Sequence, residues 1–357
     1  MKKLLFASDY QEGAHPKIIQ RLAETNLMQS FGYGMDEICE SARERIRAAC
    51  GCREAEVHFL VGGTQTNATV IDALLQSYEG VIAPDSGHVS LHEAGAIEAG
   101  GHKVLTIPHE FGKIGAKAVE EYCKEYEQDL NHEHMVKPGM VYISQPTEYG
   151  TIYSLKELEA LSRVCRENNL PLYVDGARLA YALACKQNDV SLKDMARLCD
   201  VFYIGGTKCG AMLGEAVVIP KPGRIPHFFT IIKQHGGLMA KGRILGIQFD
   251  VLFENKLYET IGQGALAAAD KIRACLAASD YMLDFDSPTN QIFVSLNDSE
   301  VKLLAECVEF SFWEKLDSGR TVVRLATSWA TSDEDVERLT EVLKKMESSL
   351  DGSGEQQ

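Results

Sequence analysis

A chain of 357 residues with 45% hydrophobic and 24% charged residues is long enough for one large α/β domain plus a smaller one, and its composition is that of a globular protein. The formal net charge of −15, with a pI of about 5.2, argues against nucleic acid as a partner while leaving room for a local basic pocket that takes a small anion. No stretch approaches the ~18 unbroken apolar residues of a membrane span, and the apolar run behind Met1-Lys2-Lys3 stops at Asp9, too soon for a secretory signal.

From Glu56 to Pro220 short β-rich runs alternate with helix-period segments. The expected strands are Val57–Val61, Gly80–Ala83, Lys103–Ile107, Met140–Ser144, Leu172–Val174, Val201–Ile204 and Ala216–Ile219. Between the early ones lie expected helices over Gln65–Ser77, Ser90–Ala99, Ala116–Gln128 and Ser154–Asn168. Such alternation implies an α/β fold with a mostly parallel sheet between layers of helices. The short Gly-rich link before Ala216 cannot hold a crossover helix, so the last strand pair is expected to be antiparallel. Past the breakers Pro222, Gly223 and Pro226 the pattern becomes a long helical region, Arg243 to Ala278. Strands Gln291–Ser295 and Thr321–Ala326 and a helix from Asp333 to Met346 follow, the signature of a small C-terminal α+β domain. The expected division is 1–250 for the large domain with an N-terminal arm, 251–350 for the small domain, and 351–357 for a flexible tail, with fraying from Ser348. The ten cysteines are scattered, and Cys50 and Cys52 suit neither a disulfide nor a metal pair, so reduced thiols in a cytoplasmic protein are expected.

Ligands of open α/β sheets sit at the carboxyl ends of the strands, and four such places carry reactive residues. Gly62-Gly63-Thr64 opens a helix, where bare N–H groups and the helix dipole favour a phosphate; the plain alternative is a turn capped by Thr64. His88 follows the second strand and can stack on a flat ring. With His92 four residues on it can also hold a metal, but no third ligand has suitable spacing, and His132 with His134 is weaker still. Asp175-Gly-Ala-Arg178 ends a buried strand with a carboxylate fit to hold a protonated ring nitrogen, or else with a capping Asp and a surface Arg. Lys208, between Gly206 and Gly210, is either a solvated loop lysine or an amine made reactive by burial and neighbouring positive charge. Read in order, these are phosphate turn, stacking His, ring-nitrogen Asp and, 33 residues later, Lys208.

That order, with Ser8-Asp9, Tyr33-Gly34, Gln65-Thr66-Asn67, Glu93-Ala-Gly95, Lys233 before Gly236-Gly237, and Val323-Arg324-Leu-Ala-Thr327, resembles the threonine aldolase/β-eliminating lyase family of pyridoxal 5'-phosphate (PLP) enzymes, within the aspartate aminotransferase fold group. The resemblance implies PLP joined to Lys208 as a Schiff base, Asp175 on the pyridine nitrogen and His88 over the ring. It gives Gly63, Thr64 and Lys233 to the phosphate, with Lys233 reaching across a subunit interface, and Ser8, Arg178 and Arg324 to the carboxylate of a small amino acid. It further implies a homodimer or homotetramer with active sites at the interface, and retro-aldol cleavage of L-threonine or L-allo-threonine to glycine and an aldehyde. Two departures fall where the β-hydroxyl belongs. Glu148, in Thr147-Glu148, stands where family members often carry His, and Tyr10 and Glu12 alter the N-terminal motif. His88 and Glu148 therefore share the candidacy for general base. The rival readings are a β-eliminating lyase yielding pyruvate and ammonia, and a PLP-holding sensor or scaffold without turnover.

Overall fold

A strand that is apolar at nearly every position has no face to offer water, and the central strands of the chain after Glu56 are of this kind, while the edge strands Glu56–Leu60 and Lys103–Ile107 keep polar positions. In the computed structural model, which describes residues 3–279 and 281–351, the strands are β1 (Glu56–Leu60), β2 (Glu79–Pro84), β3 (Lys103–Ile107), β4 (Lys137–Ser144), β5 (Leu172–Asp175), β6 (Val201–Gly205) and β7 (Glu215–Ile219). They form one sheet in the order β1-β7-β6-β5-β4-β2-β3. β7 runs antiparallel to both neighbours, as the short Gly-rich link requires, and the other pairs are parallel. Period-2 alternation divides every strand between two cores. Val141, Ile143, Val174, Phe202 and Ile204 face one layer of helices, while Tyr142, Tyr173 and Tyr203 pack in the other. Tyr142 lies in register with Tyr173, which gathers phenol groups toward the carboxyl edge of the sheet.

The small C-terminal domain is an antiparallel sheet of β8 (Gln291–Leu296), β9 (Ser311–Lys315) and β10 (Thr321–Ala326) in the order β9-β10-β8. Its core takes residues from helices Gly262–Ala278, Asp298–Cys307 and Asp333–Asp351. Tyr258, Ile261 and Ala265 still belong to the first core, and Ala268 onward to the second, so the chain passes between the two inside helix Gly262–Ala278. The amino terminus joins the small domain as well. Leu4–Leu5 pairs in parallel with Val308–Glu309, and Leu4 and Phe6 are buried in that core. The final helix continues to Asp351; the remainder of the expected tail lies outside the described residues.

Two expected helices are broken. The stretch Ser90–Ala99 divides into turns His88–Leu91 and Ala96–Ala99, because Ala94 and Gly95 adopt left-handed backbone at φ 51° and 71°. The long region from Arg243 ends first at Leu252. Asn255 and Lys256 then take positive φ, a conformation the short Asn side chain tolerates better than most, before helix Gly262–Ala278 resumes. Helices Pro16–Glu24 and Glu37–Cys50 and strand β9 add to the elements that periodicity predicts.

Candidate active site

The carboxyl ends of β1, β2, β4, β5 and β6 converge on a cavity of about 330 Å³ lined by Gly62, Gly63, Thr64, His88, Glu148, Asp175, Arg178, Lys208 and Glu215. Two turns meet at its floor with backbone against backbone. A Cβ on Gly176 would lie 2.0 Å from the Tyr203 carbonyl oxygen, and one on Gly205 2.4 Å from that of Ala177. Only glycines permit the approach, and it sets the Asp175 turn beside the Lys208 turn.

Asp175 is buried at the end of β5. Its Oδ1 accepts from the Ala177 N–H at 2.9 Å, and its Oδ2 from Asn67 Nδ2 at 3.0 Å and the Tyr142 hydroxyl at 2.8 Å. Burial alone would raise its pKa, but the positive charge His88 carries whenever it is protonated and hydrogen bonds from Tyr203, Asn67 and Ala177 bring it below the usual carboxylate value. The group is therefore a fixed negative charge. The Lys208 ammonium, by contrast, makes no hydrogen bond or ion pair with a described residue, and lies 5.9 Å from the centre of the Tyr10 ring. Its pKa is lowered by burial and the Arg178 charge, against the opposing pull of Asp9, Asp175 and Glu215. At the far side helix Gly63–Leu74 begins with no side-chain cap. Its first N–H groups face the same cavity, an anion cradle in form.

Arg178, expected either at the surface or in the site, is buried. Its Nε and Nη2 donate to Asp9 Oδ2 and Oδ1 at 2.6 and 3.1 Å, and Asn290 of the small domain donates to the same Asp9 at 2.9 Å. Burial would raise Asp9, yet the charges of Arg178 and Lys208 with these hydrogen bonds hold it at about 2. A second cavity of about 500 Å³ adjoins the first and shares Tyr10, His88, Glu148, Arg178 and Lys208 with it; Tyr149, Phe312, Trp313 and Arg324 supply its outer wall. Arg324 donates to Gln291, Ser311 and the Ala7 carbonyl, while its buried Nε has no partner. Burial and Arg178 lower its pKa to about 10. Glu148 Oε1 accepts from the His88 N–H at 3.0 Å and the Ser144 hydroxyl at 2.8 Å; Oε2 is buried without a partner. Burial raises the Glu148 pKa, an effect only partly relieved by the Ser144 bond.

Two expected site residues stand apart. Ser8 lines neither cavity; its neighbours Asp9 and Tyr10 make the contacts. Lys233 lines neither cavity either, and its ammonium sits over the Tyr33 ring at 4.4 Å. The metal alternative at His88 and His92 gains nothing, since no cluster of three or more metal-ligating side chains occurs among the described residues. Residues outside the sequence reading enter as well. Tyr142, Tyr173 and Glu215 lie on strands whose alternation points them inward, a signal present in the register but not in any motif.

Glu215 is a further buried carboxyl beside Lys208. It accepts from the Gly206 N–H and the Thr207 hydroxyl at 3.1 and 2.9 Å, and burial lifts its pKa to about 8 despite those bonds. Between the ordinary carboxylate range and about 8 the folded chain therefore binds a proton that the unfolded chain releases, so this group's contribution to stability declines as pH rises through that window. The isosteric Glu215→Gln lacks that proton, and its unfolding free energy relative to the parent protein is expected to increase steadily from pH 5 to pH 8 in urea titrations. A flat difference would remove Glu215 as the source.

Comparison with known proteins gives one family. Residues 6–346 match the family model described as "Beta-eliminating lyase". The low specificity L-threonine aldolase of Pseudomonas aeruginosa is 30% identical over 345 residues, covering 95% of this chain and 96% of that protein, and the Escherichia coli K12 protein of the same name is 25% identical over 305 residues, 85% of this chain and 87% of its own length. Among solved structures, a threonine aldolase from Leishmania major superposes with a TM-score of 0.93 at 43% identity, covering 96% of this chain and 99% of that one. Aspartate aminotransferase from Thermus thermophilus, at a TM-score of 0.72 and 16% identity over 96% of this chain and 91% of its own, shares the fold.

Proposed function

Because this chain belongs to the beta-eliminating lyase family, which makes it a PLP-dependent lyase, we propose that it cleaves L-threonine and L-allo-threonine between Cα and Cβ to give glycine and acetaldehyde. The observation that carries this reading is the opposition, across one cavity, of an unpaired amine on Lys208 and a fully hydrogen-bonded negative charge on Asp175. The residues present fit PLP: Lys208 to bond its aldehyde carbon, Asp175 to hold its ring nitrogen protonated, His88 to cover the ring face, and the bare N–H groups at Gly63 and Thr64 to take its phosphate. When bound, the cofactor supplies an electron sink for the pair of electrons released at Cα.

The chain's own groups do the rest. The substrate carboxylate is held by Arg324, whose buried Nε awaits an acceptor, and by the edge of Arg178 that Asp9 leaves open, with Ser8 on the adjoining arm. Holding it there selects which Cα bond stands perpendicular to the cofactor plane. His88 and Glu148, which line both cavities, are the two candidates to take the β-hydroxyl proton, whose removal drives C–C cleavage. The outer cavity, walled by Tyr149, Phe312 and Trp313, receives the aldehyde.

The reading extends to assembly. Lys233 faces away from this chain's cavities, and Leu27, Phe31 and Met35 near Tyr33 are 92%, 81% and 67% exposed. These support a homodimer, or a dimer of dimers, in which Lys233 reaches the phosphate site of a second copy. Among the described residues the cysteines form no disulfide, which suits a reducing, cytoplasmic setting. Among the described residues no helix is long and apolar enough to cross a membrane. The two cores support the division into domains, with the second core recruiting Leu4 and Phe6.

The test is to incubate the PLP-loaded protein with each threonine isomer and assay acetaldehyde, glycine and 2-oxobutanoate together. Acetaldehyde and glycine in equal amounts are expected. Ketoacid and ammonia without acetaldehyde would replace the aldolase reading by β-elimination.

A further inference from the structure

Glu93 has no place in the roles above, yet its side chain is 0% exposed in the wall of the site. The left-handed backbone at Ala94 and Gly95 ends the His88 turn just beyond Glu93, and the carboxylate folds back on the turn that precedes it. Its Oε1 lies 2.7 Å from His88 Nδ1 and accepts from Asn67 Nδ2 at 2.7 Å; Oε2 is buried with no partner.

Asn67 fixes the polarity of this arrangement. Its Oδ1 accepts from the Tyr173 hydroxyl at 2.8 Å and its two N–H bonds go to Glu93 and to Asp175 Oδ2; reversing the amide would set its oxygen against both carboxylates and lose those two contacts. An ionised carboxylate only accepts, so the proton between Glu93 and His88 belongs on Nδ1. The neutral imidazole then carries its lone pair on Nε2, which makes no hydrogen bond to any described residue. The backbone of the same residue is anchored as well, its main-chain N–H donating to Glu148 Oε1 at 3.0 Å. A base oriented by a third group is the arrangement that proton abstraction needs.

We propose that Glu93 is a positioning residue that keeps the His88 proton on Nδ1 and so makes Nε2 the acceptor of the β-hydroxyl proton, with Asn67 tying the pair to Asp175. The assignment rests on the aldolase reading for its chemistry and on geometry alone for the tautomer. In the forward step the hydroxyl O–H bond breaks, its proton goes to Nε2, and the electron pair left on oxygen forms the aldehyde C=O as the Cα–Cβ bond opens. The imidazolium so formed is stabilised by the Glu93 charge. Glu148 anchors the His88 backbone and is not the acceptor.

The experiment combines a double-mutant cycle with nitrogen-15 spectra of the histidine-labelled holoenzyme. Glu93→Gln keeps the shape but offers an amide that can turn either face to His88. It is expected to lower kcat ~10²-fold, within the range of a general base, with KM changed less than about threefold and the absorbance of bound cofactor retained. On a His88→Gln background the same change is expected to cost less than about twofold, since its partner is gone. The labelled parent protein is expected to show His88 protonated at Nδ1, and Glu93→Gln to show that signature weakened. An Nε2-protonated parent overturns the proposal whatever the variants do, as does an equal cost of Glu93→Gln with and without His88, which marks a purely structural role. If the parent protein yields ketoacid in place of glycine and acetaldehyde, the aldolase reading fails while the tautomer result stands on its own.

Discussion

Lys208→Ala is expected to abolish turnover, by at least ~10³-fold, and to remove the long-wavelength absorbance of covalently held cofactor while PLP still associates through the phosphate cradle and Asp175. The effect is large because nothing else in the cavity can replace this amine. Arg178 is engaged with Asp9, and Arg324 is bound by Gln291, Ser311 and the backbone of Ala7. The Lys208 amine is also the cation whose environment favours the neutral, nucleophilic form, through burial and the repulsion of Arg178. Spectra and initial rates on the same preparation check both parts. A variant with the parent spectrum would take Lys208 out of its role.

Asp175→Asn ranks next. It keeps the shape and most hydrogen-bonding capacity at the end of β5 but removes the charge under the ring nitrogen. A fall in kcat of ~10²–10³-fold is expected, the usual cost of deleting one preorganised electrostatic partner. Asp175→Ala adds a stability cost. Asn67 Nδ2, the Tyr142 hydroxyl and the Ala177 N–H would lose their acceptor, and each buried unsatisfied donor costs ~1–3 kcal/mol. The two variants separate the contributions: steady-state rates should fall in both, and urea midpoints chiefly in the alanine form. A fully active Asp175→Asn protein would show that the ring-nitrogen charge comes from elsewhere.

The sheet and the residues at its carboxyl edge were legible in sequence for one physical reason. Strands buried on both faces must be apolar throughout, so a polar residue directly behind one, such as Asp175, Glu148 or His88, stands out against it. Backbone reversals were not legible. Ala94 and Lys256 at positive φ carry no local sign, and both cut segments whose periodicity argued for longer helices. Motif reading also marked Asp9 and Asn67 without giving them a role, and passed over Glu215, because their importance depends on partners that only the fold brings close. Asp9 meets Asn290, Asn67 meets Tyr173, and Glu215 meets the Lys208 turn across β6 and β7. Lys233 marks a different boundary. Its position was readable, but its direction, over Tyr33 and away from the cavities, follows only from the folded chain.

The pairing of Leu4–Leu5 with Val308–Glu309 bears on when the enzyme becomes complete. Leu4–Leu5 cannot settle until the strand at residue 308 has been synthesised, and Asp9 waits likewise for Asn290. At translation rates of ~5–20 residues per second, the arm that carries Ser8, Asp9 and Tyr10 stays unattached for most of synthesis, while the seven-stranded sheet with Asp175 and Lys208 can already form. On the proposed reading, the newborn chain would thus have a cofactor site before a finished substrate site, and carboxylate recognition would be the last property it acquires.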